Sequence, residues 1–454
     1  MRSVKFEATR TDAHTCFPGR LAMILNMTHP FSHSGSLLPA VLRCSLLASV
    51  LAASPAALAS DAAFEPAAAK GPAWKFSGFG TLGAVHASTR EADYTSSVMH
   101  ATGAGRSAPW SVEVDSRLGA QLDVSQGRWS AVLQLVSEQD LEGSYRPRLE
   151  WANVKYQATP DLAIRLGRIA LPVFLAADYR KVGYTLPWVR TPVEVYGSLP
   201  ISSSDGIDAT WRWSSGATRH ATQAFWGHTD TRLYDDRRLH ARAIAGLSHS
   251  IERGALSARV SALTGMLTTG IGTELFTALP AFGPQGQALA ARYAIEDKRV
   301  SMVSMGANYD PGAWFLSAEI GRSHTDSLLG RTTALYAGGG YRYDSLTPYV
   351  GYAKVRAHGA TSDPGLQLAG LPPRVQAAGA VVNMALNIYL ATVPQQSTAS
   401  AGLRWDAASN IALKAQYDRV SPGAGSRGTL INPSNAFRPD RTVHVASVAL
   451  DFVF

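Results

Sequence analysis

Between Asp115 and Val124 apolar and polar residues alternate one by one. Leu118, Ala120, Leu122 and Val124 fall on one side of an extended chain, and Asp115, Arg117, Gly119, Gln121 and Asp123 on the other. Period two marks a strand with one apolar and one polar face. The split recurs at Leu162, Ile164 and Leu166 against Arg165, at Trp211 and Trp213 against Asp208 and Arg212, and at Leu256, Ala258 and Val260 against Arg259. It returns at Leu403 and Trp405 against Arg404, and at Leu413, Ala415 and Tyr417 against Lys414, Gln416 and Asp418. From Trp74 to Phe454 the pattern divides into sixteen such segments. Seven connectors are tight: Ser125 to Arg128, Ala158 to Pro160, Ser214 to Ala217, Glu252 to Arg253, Tyr309 to Gly312, Asp344 to Leu346 and Asp406 to Ser409. They alternate strictly with eight long ones, so the segments predict an all-β antiparallel meander with every short turn at one end.

No uninterrupted apolar run reaches the roughly 18 to 20 residues of a membrane-spanning helix. Strands can enter lipid only as a closed barrel, because an open edge leaves backbone groups unpaired. Short turns at one end and long loops at the other are the habit of outer-membrane barrels, with the short turns in the periplasm and the long loops outside the cell. Aromatic residues agree with that direction. Trp74, Trp129, Tyr156, Trp213, Trp314, Tyr343 and Trp405 all lie near a short connector or the start of the first strand, which places one ring of them at one depth. Such rings favour the membrane interface. A soluble all-β core ending its strands in aromatics is the alternative. The segment Arg374 to Thr392 is apolar enough for a helix or for another hairpin, and a hairpin would raise the count to eighteen. Thr273 to Leu279 and Ala288 to Tyr293 read as short helices.

Ahead of the barrel, Arg43 precedes an apolar run from Cys44 to Leu58, and Ala57-Leu58-Ala59 supplies a small-x-small pattern before Ser60. Residues 1–59 therefore read as a leader with a secretory signal cleaved after Ala59, with Met27 an alternative start. Residues 60–73 form a short segment before the barrel domain, 74–454. Both cysteines, Cys16 and Cys44, lie in the leader, so the mature chain has neither disulfide nor thiolate metal site. The leader takes five Lys/Arg and two Asp/Glu from the 42 and 34 of the whole chain, which lowers the net charge from +8 to +5. The remaining charges are mixed in sign, so nucleic-acid binding has little support.

The terminal Val448-Ala449-Leu450-Asp451-Phe452-Val453-Phe454, together with sixteen strands, resembles the Gram-negative outer-membrane porins. Ser77-Gly78-Phe79-Gly80-Thr81-Leu82-Gly83, Asp115-Ser116-Arg117-Leu118-Gly119-Ala120 and Leu166-Gly167-Arg168 are similar to the opening, second and fifth strands of porin-like proteins of proteobacteria. The resemblance implies a third loop, Ile169 to Ser204, folded into the pore, a homotrimer in the cell outer membrane among lipid and lipopolysaccharide, and a terminal Phe454 read by the barrel-assembly machinery. Two departures stand out. The acidic Pro-Glu-Phe-Gly-Gly turn of many general porins is missing from the third loop, and the second loop, Gln139 to Pro147, is short where the family uses it to latch a neighbour.

Sixteen strands enclose an aqueous channel that something must narrow. The third loop carries Asp178, Arg180, Lys181, Arg190 and Glu194, and the wall candidates are Arg117, Arg165 and Arg212. Opposed charges at a constriction orient polar solutes and filter ions. Wall arginines opposite loop acids are one reading, and loop charges that merely pin the loop are the other. The predicted lumen face sets Arg117, Arg165, Arg212, Arg259, Arg342, Lys354, Arg356, Arg404 and Lys414 against Asp115, Asp123, Glu138, Asp208, Glu319, Asp406, Asp418 and Asp451. That balance predicts at most a weak anion preference. Gly78-Phe79-Gly80-Thr81-Leu82-Gly83 matches a dinucleotide fingerprint, but the motif requires a helix and here strand continues. His220 and His228 are too far apart for one metal ion and read as lumen residues. The expected function is passive diffusion of small hydrophilic solutes and ions, with no catalytic site, cofactor or metal. The alternatives are a silent barrel acting as an adhesin or scaffold, and a barrel hydrolase in which His86, Ser88 and loop serines converge.

Overall fold

The computed structural model describes residues 71–197, 201–233, 237–423 and 425–454. The leader, its cleavage site and the alternative start at Met27 lie outside the described residues. Sixteen antiparallel strands form one ring. They are β1 (Ala73–Ala87), β2 (Arg117–Gln126), β3 (Trp129–Glu138), β4 (Arg148–Gln157), β5 (Leu162–Ala170), β6 (Ser203–Ser215), β7 (Thr218–Arg232) and β8 (Arg238–Arg253). The second half comprises β9 (Leu256–Thr269), β10 (Lys298–Tyr309), β11 (Trp314–Thr325), β12 (Arg331–Tyr341), β13 (Leu346–Ala357), β14 (Gln396–Ala408), β15 (Ile411–Pro422) and β16 (Val443–Val453). Each strand pairs with the next, and β16 pairs with β1 from Phe79↔Val453 to Ala87↔Val445, which closes the ladder and leaves no edge. A further short strand, Trp110–Ser111, pairs with β1 outside the ring.

Alternation explains why these segments make a wall. Leu118, Leu133, Val154, Leu166, Ile207, Leu247, Val260, Met305, Leu316, Val350, Leu413 and Val448 all stand exposed on the outer face. A soluble protein does not leave so continuous an apolar belt in water, whereas lipid accepts it. Among the described residues no helix is long and apolar enough to cross a membrane, so any crossing is by strands. At the short-turn end the expected aromatic ring forms: Trp129 packs on Tyr156 (4.7 Å), Trp211 on Trp213 (4.6 Å) and Tyr309 on Trp314 (5.3 Å). The glycines of the first strand make room for rings of the last, since a Cβ at Gly78 or Gly80 would collide with Phe454 or Phe452.

All seven tight turns are present, one of them displaced: the turn expected at Glu252–Arg253 falls at residues 254–255, because β8 runs two residues further. Two connectors expected to be long are short, residues 233–237 and 326–330, because their strands rise beyond the apolar belt. The doubtful segment is a helix, α4 (Pro373–Leu390), so the count stays at sixteen. Helices α2 (Thr273–Ala278) and α3 (Pro284–Tyr293) form where short helices were expected. These three helices share a buried cluster that includes Leu275, Leu279, Tyr293, Leu386 and Leu390 beside the extracellular rim. On the other side the first and last long loops pack through Tyr94, Val114, Leu430 and Val443.

Two parts of the predicted lumen face are wrong. Lys354 and Arg356 of β13 point outward and Ala353 and Val355 point in. His220 and His228 also lie on the outer face of β7, in step with exposed Trp226, while Phe225 faces inward. His220 stacks flat on Trp213 (4.9 Å) in the aromatic ring and sits 3.4 Å from His249.

Candidate functional site: a loop across the lumen

Residues 171–197 leave β5 and run across the inside of the barrel, and β6 begins shortly after the described chain resumes at residue 201. Three prolines, Pro172, Pro187 and Pro192, keep this stretch from becoming a long helix, and among the described residues only α1 (Val193–Tyr196) and a 3-10 turn (Gly183–Thr185) form. A loop buried this way must satisfy its backbone with wall side chains. The Ser304 hydroxyl donates to the carbonyl of Val173, Leu175 N–H donates to Glu319 (3.1 Å) and Arg259 donates to the carbonyl of Phe174 (2.9 Å). Further along, Lys414 donates to the carbonyls of Gly183 (2.7 Å) and Trp188 (3.1 Å), and Arg404 to those of Tyr184 (2.7 Å) and Leu186 (2.9 Å). Lys414 also lies 2.7 Å from Asp451, with both side chains fully buried.

Apolar packing completes the anchorage. Val173, Phe174, Leu186, Val195 and Tyr196 of the loop bury against Phe225, Met302, Tyr336, Ala353 and Val355 of the wall. Part of the lumen is thus an ordinary core, and this is why β13 turns its charged residues outward. Trp188 stands edge-on to Phe315 (5.9 Å), Tyr336 (6.2 Å) and Tyr349 (6.2 Å).

The loop charges meet the wall mostly in the opposite sense to wall arginines facing loop acids. Arg190 is buried and grips Asp115 through two bonds (2.9 and 2.7 Å), with Asp418 (3.1 Å), Tyr94 (3.2 Å) and Ser447 (2.6 Å) around it. Lys181 donates to Glu138 (2.6 Å) and lies 2.9 Å from Glu150. Arg117 stands 3.8 Å from the same Glu138. Only Asp178 follows the expected sense, 3.2 Å from Arg259. Glu194 is buried with no ion pair among the described residues: Thr398 and Gln396 donate to it, and burial pushes its carboxyl above the usual range. Arg165 pairs with Asp208 on the wall itself (2.8 Å), and Arg212 lies on the lumen face of β6 toward the short turns.

Arg180 is the exception. It has no ion pair or hydrogen bond among the described residues, and burial lowers its affinity for a proton. Its guanidinium lines a cavity of about 580 Å³ on the extracellular side of the loop, together with Arg117, Glu138, Glu150 and Lys181. A second cavity of about 330 Å³ lies on the periplasmic side, bounded by Asp310, Arg342, Arg404 and Asp406. Leu186, Thr191 and Tyr196 line both, so the loop is the partition between them. Tyr196 is held there by Ala176 N–H (3.1 Å) and by donating to Glu319 (3.1 Å).

Residues the sequence did not single out supply much of the site: Glu150, Tyr94, Trp188 and Tyr196, and above all the acids that receive the loop cations. Asp115, Glu138 and Asp418 had been assigned to the lumen by alternation, but alternation carries no information on which cation each meets. The residues of the hydrolase alternative do not converge. Ser88 accepts the backbone N–H of His444 (3.0 Å) at the barrel seam, and His86 packs against Trp110 on the outer face (5.0 Å).

No family model matches the sequence, and no curated protein matches it. Solved structures do. OmpF of Salmonella typhi, in complex with daunomycin, aligns with a TM-score of 0.50 over 84% of this chain and 97% of its own, at 13% identity. The outer membrane channel DcaP of Acinetobacter baumannii aligns with a TM-score of 0.50 over 85% of this chain and 98% of its own, at 12% identity. The fold is therefore that of the outer-membrane porins.

Proposed function

We propose that this chain is an outer-membrane porin through which small hydrophilic solutes and ions pass by diffusion. The observation that carries the proposal is the lumen: two cavities, one on each side of a single loop that crosses the barrel. The apolar belt and the aromatic ring support a place in the outer membrane. The neighbouring porin folds are consistent with assembly as a homotrimer, and Phe454, bonded through its backbone to Gly78, would present the assembly signal.

Because part of the lumen is filled by the loop and its apolar contacts, the channel is narrow. It leans weakly toward anions. With Lys354 and Arg356 on the outside, that lean rests on Arg180, which has no ion pair among the described residues, while Lys181 and Arg190 are committed to acids. The test is purified protein in a planar bilayer under a salt gradient. Stable conductance steps with a small anion-side reversal potential are expected, and deletion of residues 178–190 should raise the step size. A silent barrel would point to the scaffold reading, and strong cation selectivity would remove the role given to Arg180.

A further inference from the structure

The two chambers of the lumen differ in charge. Above the loop, Arg180 has no ion pair among the described residues. Below it, the charged residues that line the chamber cancel in pairs. Arg342 forks onto Asp310 through two bonds (2.7 and 2.8 Å), and Arg404 closes on Asp406 through two more (2.9 and 2.7 Å). The lower chamber therefore offers no net charge for an ion to follow. The pairs nonetheless leave polar atoms unused. Both bonds from Arg404 end on Asp406 Oδ1, and among the described residues no donor reaches Oδ2. Arg342 directs Nη1 and Nη2 to Asp310 and the carbonyl of Gly312, and among the described residues its Nε has no acceptor. The Asp406 and Arg342 side chains are 40% and 38% exposed, so these free atoms are open to a solute.

Aromatic rings supply much of the remaining lining. Tyr179, Tyr184 and Trp188 belong to the loop, and Phe315 and Tyr336 to the wall. The three loop residues are half-buried, so part of each ring is open to the chamber. Arg404 lies over Tyr184 (5.0 Å) and Arg342 over Phe315 (5.1 Å), which ties each ion pair to a ring. The volume of about 330 Å³ is at the small end of the roughly 300 to 1,000 Å³ typical of small-molecule sites, which join apolar and aromatic walls to a few placed polar groups. An ionic solute would have to break a charge-assisted fork to find a partner of its own. A wholly apolar one would strip water from Asp406 and return no hydrogen bond. A ring with C–H bonds on its faces and hydroxyls around its rim suits both parts of the lining. Its faces lie against the aromatic rings, and its hydroxyls, which donate and accept, meet the free Asp406 oxygen and the free Arg342 N–H.

We infer that the chamber below the loop is a weak, saturable subsite for neutral saccharides, a pyranose ring resting against Tyr184 and Trp188 with its hydroxyls on Asp406 and Arg342. The inference rests on the diffusion reading, because it names one class of solute that the channel passes. Weak binding is what such a channel requires, favourable enough to enter and loose enough to leave. The barrel, refolded in a detergent without a sugar head group, is studied by saturation-transfer NMR with glucose, with sorbitol, which has the hydroxyls but no ring, and with glucuronate and protonated glucosamine, which add a charge of either sign. Saturation of the aromatic protons should pass to the ring C–H protons of glucose, level off as glucose is raised, and be severalfold weaker for the other three. Tyr184→Ala should weaken glucose binding roughly two- to tenfold, the range for losing one ring contact. Trp226→Leu, which removes an exposed ring from the outer wall, should bind as wild type. Equal transfer to sorbitol, stronger transfer to either charged sugar, or unchanged glucose binding in both Tyr184→Ala and Phe315→Leu would overturn the inference. Heat-modifiable mobility in gels reports that each barrel is folded, and the wild-type comparison among the sugars decides the matter even where a variant does not fold. Ion current in a planar bilayer is recorded separately. A barrel that binds glucose but carries no current overturns the diffusion reading alone, and a conducting barrel with no transfer to glucose overturns this inference alone.

Discussion

Arg190 is the most heavily bonded of the loop residues, and removing it tests the whole account of the lumen. Its side chain is 4% exposed and the two carboxylates it serves, Asp115 and Asp418, are 1% exposed each. Arg190→Ala therefore leaves two buried, uncompensated acids as well as an empty space. Breaking a buried pair from one side costs about 3 to 5 kcal/mol. The ring of strands does not depend on this contact, so the cost falls on the docked position of the loop. At 1.4 kcal/mol per tenfold change, the ratio of docked to undocked loop should fall by roughly two to three orders of magnitude. In a planar bilayer this is expected as a larger mean conductance, excess noise from loop excursions, and a reversal potential moved toward cations by the exposed acids. Arg190→Lys keeps the charge but loses the fork and should lie between. The triple change R190Q/D115N/D418N removes the orphaned charges with their partner and should recover most of the loss. If Arg190→Ala has the conductance, noise and reversal potential of the wild type, Arg190 does not hold the loop and the partition is maintained by something else.

Gly183 lies so close to Thr81 and Asp451 that a Cβ would overlap both; Gly183→Val should push the turn off the wall, expose Lys414 and raise conductance, with heat-modifiable mobility unchanged. His100, 6% exposed in the first long loop and bonded to Thr95 (3.0 Å), is held neutral by burial, its pKa lowered from 6.5 to about 4. The unfolded loop binds the proton more readily, so stability is complete above pH 6.5 and falls as pH drops toward 4, by at most about 3 kcal/mol. Proteolysis of the first loop should thus accelerate at pH 4 in the wild type, and His100→Asn should weaken that dependence; equal cleavage at pH 4 and 7 in the wild type would refute it. Deleting Phe454 removes its paired bonds to Gly78 (2.9 and 3.0 Å) and should lower the amount of barrel recovered in outer-membrane fractions, measured by immunoblot.

The strand count and the direction of the barrel were legible because lipid imposes one rule on every strand, whereas the entry of the third loop followed from the resemblance to the porins. Leu118 and Val260 face outward for the same reason. The rule fails where lipid and water are not the two environments. At β13 the loop replaces water inside the barrel, so Ala353 and Val355 are the buried apolar side and Lys354 and Arg356 face outward, above the lipid-facing band. On β7, His220 sits in the interface, where a polar ring on the outer face is tolerated. The pairing of charges was not legible for a different reason. Arg190 meets Asp115 and Asp418 at separations of 75 and 228 residues, and no local pattern encodes which acid the closed ring will bring to it.

Those separations also impose an order of assembly. Phe174 reaches Arg259 across 85 residues, Leu175 reaches Glu319 across 144 and Gly183 reaches Lys414 across 231, so these anchors are drawn from strands made after the loop, while Lys181 and Arg190 also meet acids made before it. The full set of these anchors is in place only once β15, which carries Lys414, has joined. The plug therefore completes its docking late in assembly, when the last of its wall partners is in place.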